Sequence, residues 1–413
     1  MNSVKYSLQE ALEKPALVIK LDLSDQGLTE LPAEIGKLVN LQELILNKNK
    51  LSNLPDELAG LGLLKKLSVC QNRLLNFPKV ILRLISLEHL DLKDNKIGEV
   101  PSNIKNLREL RTLSLGWNTL STLPKETAKL QNLQKLDLQY NRICHLPASL
   151  GELSSLRELN LDWNKLQQLP NELVNLKFLQ KLSIAENSFT LVPYCVGNLH
   201  TLRELNVSWN RISRLDGILS ELQELTKLDL HNNLLESIEE DFCCLTSLET
   251  IIIRGNKLNA LPDCFALLEN LKHVDLSENS FRSFPEVLCE LKSLLHINLR
   301  FNNIASLPVV LHEMEKLREL FLGGNSISSI PKGIFTMKNL QFLGLTQNQI
   351  EEISIEEPEK SSLKGIYLGG NPISHPVYGI EKLPKLSQLT IPSETRNKDL
   401  ICQQLPHIKV ELY

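Results

Sequence analysis

The sequence predicts an α/β solenoid with a concave parallel β-sheet, short convex helical or 3₁₀ segments and a 23-residue period. Three observations carry this expectation. Asparagine falls at 49, 72, 95, 118, 141, 164, 187, 210, 233, 256, 279, 302, 325, 348 and 371, and Gln26 holds the same phase one step earlier. Leucines surround it as L-x-x-L-x-L-x-x-N-x-L. Proline stands six residues after this phase in twelve of the sixteen repeats. A length of 413 residues would ordinarily suggest two or three globular domains. A register this constant suggests instead that each repeat packs only on its neighbours.

One repeat, "LQELILNKNKLSNLP", shows the physics. Leu41, Leu44 and Leu46 face inward, and the alternation across Leu44 and Leu46 reads as a short strand. Asn49 then turns the chain, and its amide can donate and accept to satisfy buried backbone groups of adjacent turns. Gln26 is expected to do part of that job at the fraying end. Pro55 fixes φ where the chain leaves the turn, and Leu58, Leu61 and Leu64 then follow at helical spacing.

The array is expected over residues 17–385, with a cap helix over 1–16 using Tyr6, Leu8, Ala11 and Leu12, and a C-terminal cap over 386–413. Terminal repeats need such covers because they would otherwise expose leucines. Two stretches depart from the pattern. The proline is replaced twice between Leu215 and Phe242, and "EEISIEEPEKSS" at 351–362 puts Glu357 and Lys360 where other repeats place apolar residues. A poorly formed, mobile convex segment is expected at the second stretch.

A net charge of −4 argues against a general nucleic-acid binder. No apolar run is long enough to span a bilayer, and no secretion or lipidation signal is legible. Cys70, Cys144, Cys195, Cys264, Cys289 and Cys402 are scattered and Cys243 and Cys244 adjacent, so reduced thiols in a cytoplasmic monomer are expected.

The repeats "LPAEIGKLVNLQELILNKNKLSNLP" and "LPASLGELSSLRELNLDWNKLQQLP" resemble those of intracellular Ras-group leucine-rich-repeat proteins. That group includes the Ras-pathway scaffold family, scribble-type proteins and plant intracellular relatives. Similar repeats occur in effector proteins of intracellular bacteria. The resemblance covers roughly residues 17–385 and implies a leucine-rich-repeat horseshoe that binds protein through its concave face.

Counting back from the Asn, positions −6, −4 and −2 line the sheet, and −1 stands at its edge. All three tryptophans of the chain, Trp117, Trp163 and Trp209, occupy −1, with Tyr140 among them. Such a ridge, roughly 20 Å long at strand spacing, is either a partner-binding anchor or a shield over the turn. Its polar surround comprises Asp137, Glu158, Asn160, Asp162, Glu204 and Asn206, with Arg142 and Arg211 just past the Asn. A second set, Phe321, Phe342 and Tyr367 amid glycines, is either another docking patch or an internal lid.

No phosphate loop, metal motif or cysteine pair at CxxC spacing points to catalysis, and no cofactor is expected. His273 and His296, in one column beside Asp275, keep a metal-dependent or acid–base surface as a minor alternative. The expectation is therefore a non-enzymatic interaction module or scaffold for a protein partner such as a small GTPase. The alternatives are a bacterial effector acting on a host protein, there in the host cytosol, and a targeting subunit of a phosphatase or ubiquitin-ligase complex.

Overall fold

The structure, a computed structural model, describes residues 7–373, 377–405 and 408–412. The chain forms two compact halves, Met1–Asn210 and Arg211–Tyr413.

In the first half, the α-helix Leu8–Glu13 opens the described chain. Ser7 and Glu10 form a reciprocal capping box, in which Ser7 Oγ accepts from the Glu10 N–H and the Glu10 carboxylate accepts from the Ser7 N–H. Ala11 is the helix residue fully buried, and Tyr6 lies outside the described residues. Three-residue strands then recur from Lys20–Asp22 to Glu204–Asn206. They pair in parallel one period apart, so that Lys135 is opposite Glu158 and Glu158 opposite Lys181. The leucines between outward positions are sealed, and Leu136, Leu138, Leu159 and Leu161 are all at most 1% exposed.

The other side of each repeat is a five-residue 3₁₀ segment, as at Asp56–Gly60 and Asn171–Asn175. The preceding prolines hold φ near the start of the segment, −69° at Pro55 and −63° at Pro170. The segment ends after one short run because the leucine that follows closes it with an i→i+3 bond, Leu61 N–H to the Leu58 carbonyl.

The asparagine column is a ladder. Asn164 Oδ1 accepts from the Ile143 N–H at 3.0 Å, in the preceding repeat. Its Nδ2 donates to the carbonyls of Leu138, Leu161 and Asp162 at 3.0, 3.0 and 3.1 Å. One amide thus satisfies backbone groups of two successive turns. Gln26 does not take this role with its side chain, which is exposed; Asn49 Oδ1 instead accepts the N–H groups of both Gln26 and Leu28.

The second half repeats the design from Lys227–Asp229 to Gln388–Ile391, with a helix at Lys398–Gln404 and a last parallel strand at Lys409–Leu412. At Asp216, where the proline is missing, a run of turns with φ of 53° at Asp216 and 67° at Gly217 replaces the 3₁₀ segment. At Glu239, the next replacement, the segment Glu240–Cys244 still forms. Across 351–362 the convex segment shrinks to Pro358–Lys360, while Ile353, Ile355 and Pro358 keep that part of the core filled.

The cysteines depart from expectation. Cys243 and Cys264 form a disulfide with Cα atoms 5.8 Å apart. Their separation of 21 residues, two short of the period, sets them on adjacent 3₁₀ segments, Glu240–Cys244 and Asp263–Leu267. Cys244 points to solvent.

Candidate functional site

The −1 position is set by the backbone. In the first half Asp25, Lys48, Gln71, Asp94, Trp117, Tyr140, Trp163, Glu186 and Trp209 all have φ between 50° and 59°. This left-handed region suits Gly, Asn and Asp, and a bulky side chain there is unusual. In the second half the position follows that preference more often, with Asn232, Gly255, Gly324 and Gly370. Hydrogen bonds to the next repeat hold the turn: the N–H groups of Trp117, Tyr140 and Trp163 donate to the carbonyls of Gln139, Asp162 and Ala185 at 2.8, 2.8 and 2.9 Å.

In the first half four aromatics therefore stand where the fold favours small or polar residues, as Phe301 does in the second. Three of them stack. The ring centroids of Trp117 and Tyr140 are 3.7 Å apart, and those of Tyr140 and Trp163 4.6 Å, with interplanar angles of 16° and 11°. Trp117, Trp163 and Trp209 remain 44%, 46% and 50% exposed. The stack closes both faces of Tyr140 and presents a row of ring edges to solvent. Glu186 separates Trp163 from Trp209 in the column.

The polar residues around the ridge divide into groups with separate tasks. Glu158 pairs with Lys135 at 2.8 Å and Glu204 with Lys181 at 2.7 Å, so these charges largely neutralise each other across strands. Asp137, Asn160 and Asn206 cap their own turns, each accepting from the N–H two residues on, in Gln139, Asp162 and Ser208. Where the −4 residue is Ser183, the cap comes from the repeat before: Asp162 Oδ1 accepts from Ser183 Oγ and from the Ala185 N–H at 2.7 Å. The alternation of Asp, Asn and Ser along −4 was the signal for this role. Arg142 is exposed beside the ridge, whereas Arg211 begins the other half of the chain.

In the second half Phe321, Phe342 and Tyr367 are half-buried on outward strand positions. A methyl group added at Gly344 would meet Phe321 Cδ1 at 2.7 Å, and one at Gly365 would meet Phe342 Cδ1 at 2.6 Å. Each of these two rings lies over the glycine of the next strand. The Arg300 guanidinium covers the Phe321 ring at 4.2 Å, and the Tyr367 hydroxyl donates to Gln388 Oε1. Two of the three rings thus pack over glycines of the neighbouring strand.

The histidines also find ordinary partners. The His273 and His296 rings stack at 4.6 Å, His296 Nδ1 is 3.0 Å from Glu319, and burial with the neighbouring His296 holds His273 below its usual pKa. Asp275 turns to Ser277 and Asn298 instead. Among the described residues no group of three or more His, Cys, Asp or Glu side chains could hold a metal ion, and no helix is long and apolar enough to cross a membrane.

Repeats with inward leucines, an asparagine ladder and a parallel sheet define a solenoid-type binding protein. The chain belongs to the leucine-rich-repeat family. The family described as leucine-rich repeat region matches residues 17–117 and 148–257, together more than half of the chain, and further leucine-rich-repeat matches cover 108–166, 270–291 and 315–373. No curated protein sequence matches it. Among solved structures, a leucine-rich-repeat protein of Leptospira interrogans is 31% identical over the whole of both chains, with a TM-score of 0.73. The plant peptide hormone receptor RGFR1, solved in complex with RGF2, is 28% identical over 95% of this chain and 66% of its own, with a TM-score of 0.74. Internalin InlJ of Listeria monocytogenes shares the fold at 20% identity over 92% of this chain and 75% of its own, with a TM-score of 0.70.

These findings correct two expectations. The kinship with intracellular Ras-group proteins does not stand, since the matched structures are receptors, internalins and the leptospiral protein. The consensus that suggested it (leucines inward, Asn ladder, Pro before the 3₁₀ segment) is what the fold itself demands, wherever the protein works. The cytoplasmic placement falls with it, because the Cys243–Cys264 disulfide is at odds with a reducing compartment. The chain is a non-enzymatic protein-binding module that uses the concave, sheet-bearing face of its repeats.

Proposed function

We propose that the first half of the chain binds a protein or peptide partner through the aromatic edge Trp117–Tyr140–Trp163, extended by Trp209. One observation carries the reading: large rings occupy left-handed positions where they cost backbone energy and stay half exposed. Packing alone gives no reason for that choice, because glycine serves the same turn at Gly255, Gly324 and Gly370. Exposed Trp and Tyr are the usual anchors of protein interfaces. The capped and paired residues Asp137, Glu158, Asn160, Asp162, Glu204 and Asn206 form a rigid polar rim, and Arg142 adds charge.

The likeness to the leptospiral protein fits a bacterial chain, and for such a chain we take a protein of a host as the partner class rather than a component of a signalling scaffold. Nothing in the matched structures named above singles out a small GTPase, a phosphatase or a ubiquitin ligase as partner.

The test is a pull-down from candidate partner sources with the wild type and with a folded Trp117→Gly/Trp163→Gly/Trp209→Gly variant. Loss of a partner in the variant supports the ridge. Equal retention of every partner by both proteins refutes it and leaves the rings as shields over the turn.

A further inference from the structure

Beside the aromatic edge runs a second column, the residue just past each ladder asparagine. In the first half it holds Lys50, Arg73, Lys96, Arg142 and Lys165, interrupted by Thr119. All five cationic residues are exposed, and none of them forms an ion pair among the described residues. Most cations of the sheet face differ in this respect. Lys20 and Lys66 share Glu43, Lys65 and Arg111 share Glu88, and Lys135 and Lys181 pair with Glu158 and Glu204.

The column is held in register by the fold. The backbone N–H of each cation donates to the repeat before: Lys50 to Leu28, Arg73 to Leu51, Lys96 to Leu74, Arg142 to Leu120 and Lys165 to Ile143, at 2.7 to 2.9 Å. Composition does not explain the stripe, since the chain as a whole carries a net charge of −4. In the second half the same column opens with the exposed Arg211 and then reads Leu234, Lys257, Ser280, Asn303, Ser326, Gln349 and Pro372, where the one further cation, Lys257, is paired with Glu236.

The geometry points to an acidic, extended polypeptide segment as the ligand of this edge, its carboxylates on the cation column and its apolar side chains against the ring edges. This rests on the reading of the aromatic edge as a binding site. From Lys50 to Lys165 the column spans about 24 Å at strand spacing, the reach of about eight extended residues. Of the three carboxylates of the −1 column in this half, Asp25, Asp94 and Glu186, the last two bracket the ring stack and confine an anion to the cation side. Single-stranded nucleic acid fits less well. It needs open ring faces on which bases stack, and the stack takes up both faces of Tyr140 and one face each of Trp117 and Trp163.

The experiment measures fluorescence anisotropy of the full chain with three labelled probes. They are a peptide of about twelve alternating Glu and Leu residues, its counterpart with Lys for Glu, and an oligothymidylate of matching length. The acidic peptide is expected to bind, to weaken as salt rises from about 50 to about 200 mM, and to exceed both other probes. Arg73→Glu/Arg142→Glu/Lys165→Glu should weaken it by at least about tenfold, and the milder Gln triple variant should weaken it in the same direction. Failure of the acidic peptide to bind overturns the proposal, as does equal or tighter binding of oligothymidylate. Binding unchanged in the Glu triple variant but lost in Trp117→Gly/Trp163→Gly removes the cation column and leaves the aromatic edge. The reverse pattern supports the column and removes the aromatic edge.

Discussion

The rings of Trp117 and Tyr140 lie in near-parallel contact, centroids 3.7 Å apart, although both residues have positive φ. The repeat places equivalent Cα atoms at strand spacing, about 4.8 Å, and the left-handed turn aims successive side chains the same way. Stacking follows once neighbouring repeats both carry rings. It recovers part of the cost of the backbone conformation, and ring pairs of this kind contribute about 0.5–1.5 kcal/mol beyond area burial.

Trp163→Gly separates fold from binding. Glycine adopts φ of 55° without strain, so the lost stack and the relieved backbone roughly offset each other. Thermal unfolding should stay within about 1 kcal/mol of wild type, while partner affinity falls by about 2 kcal/mol or more. A large drop in stability would show that the ring is a structural element of the turn.

Asn164→Ala acts on the core. It removes the acceptor of the Ile143 N–H and the donor to the carbonyls of Leu138, Leu161 and Asp162. Destabilisation of about 1–3 kcal/mol is expected, with hydrogen exchange accelerated first around residues 138–166. An unchanged denaturation curve would sink the ladder account.

Gly344→Ala tests the packing of rings over glycines. The new methyl would sit 2.7 Å from Phe321 Cδ1, so the ring must swing away from its site and from Arg300. A loss of about 1–3 kcal/mol is expected from such overpacking. Phe321→Ala in the same chain should relieve the clash, and additive losses in the double variant would argue against it.

The thiols give a pH-dependent prediction. Burial pushes Cys70 and Cys195 up to about 11, and Cys289 up to about 12, from an ordinary value of 9.0. Between pH 9.0 and about 11 the unfolded chain loses protons that the native chain keeps, so folding stability must fall with rising pH. At about pH 8 alkylation should label exposed Cys144, Cys244 and Cys402 first. Cys243 and Cys264 should label only after reduction, and reduction should cost about 3 kcal/mol for a loop of this length. Eight cysteines reactive in the unfolded, unreduced protein would contradict the disulfide.

Periodicity made the fold legible because a residue and its equivalent 23 positions on become spatial neighbours. Trp117, Tyr140 and Trp163 could be placed side by side on that ground alone. Their left-handed backbone was not legible, because tryptophan argues against that conformation and only the shared turn imposes it. The disulfide escaped for a related reason. Its cysteines are out of phase by two, and the bond depends on how consecutive 3₁₀ segments lie against each other. The caps formed by Asp137 and Asn160 were foreshadowed only by the alternation of Asp, Asn and Ser along −4, since the backbone N–H groups they accept from appear in no pattern of side chains.

A solenoid of independent repeats can unzip from an end, one turn after another, under heat, proteolysis or mechanical pull. The bond between Cys243 and Cys264 changes that order of events. Opening that starts at the C-terminal edge cannot release the repeat carrying Cys264 without also engaging the one carrying Cys243. In an oxidising medium the covalent stitch thus acts as a ratchet stop within the second half of the chain, and a protease nibbling inward should leave a fragment that ends beyond it.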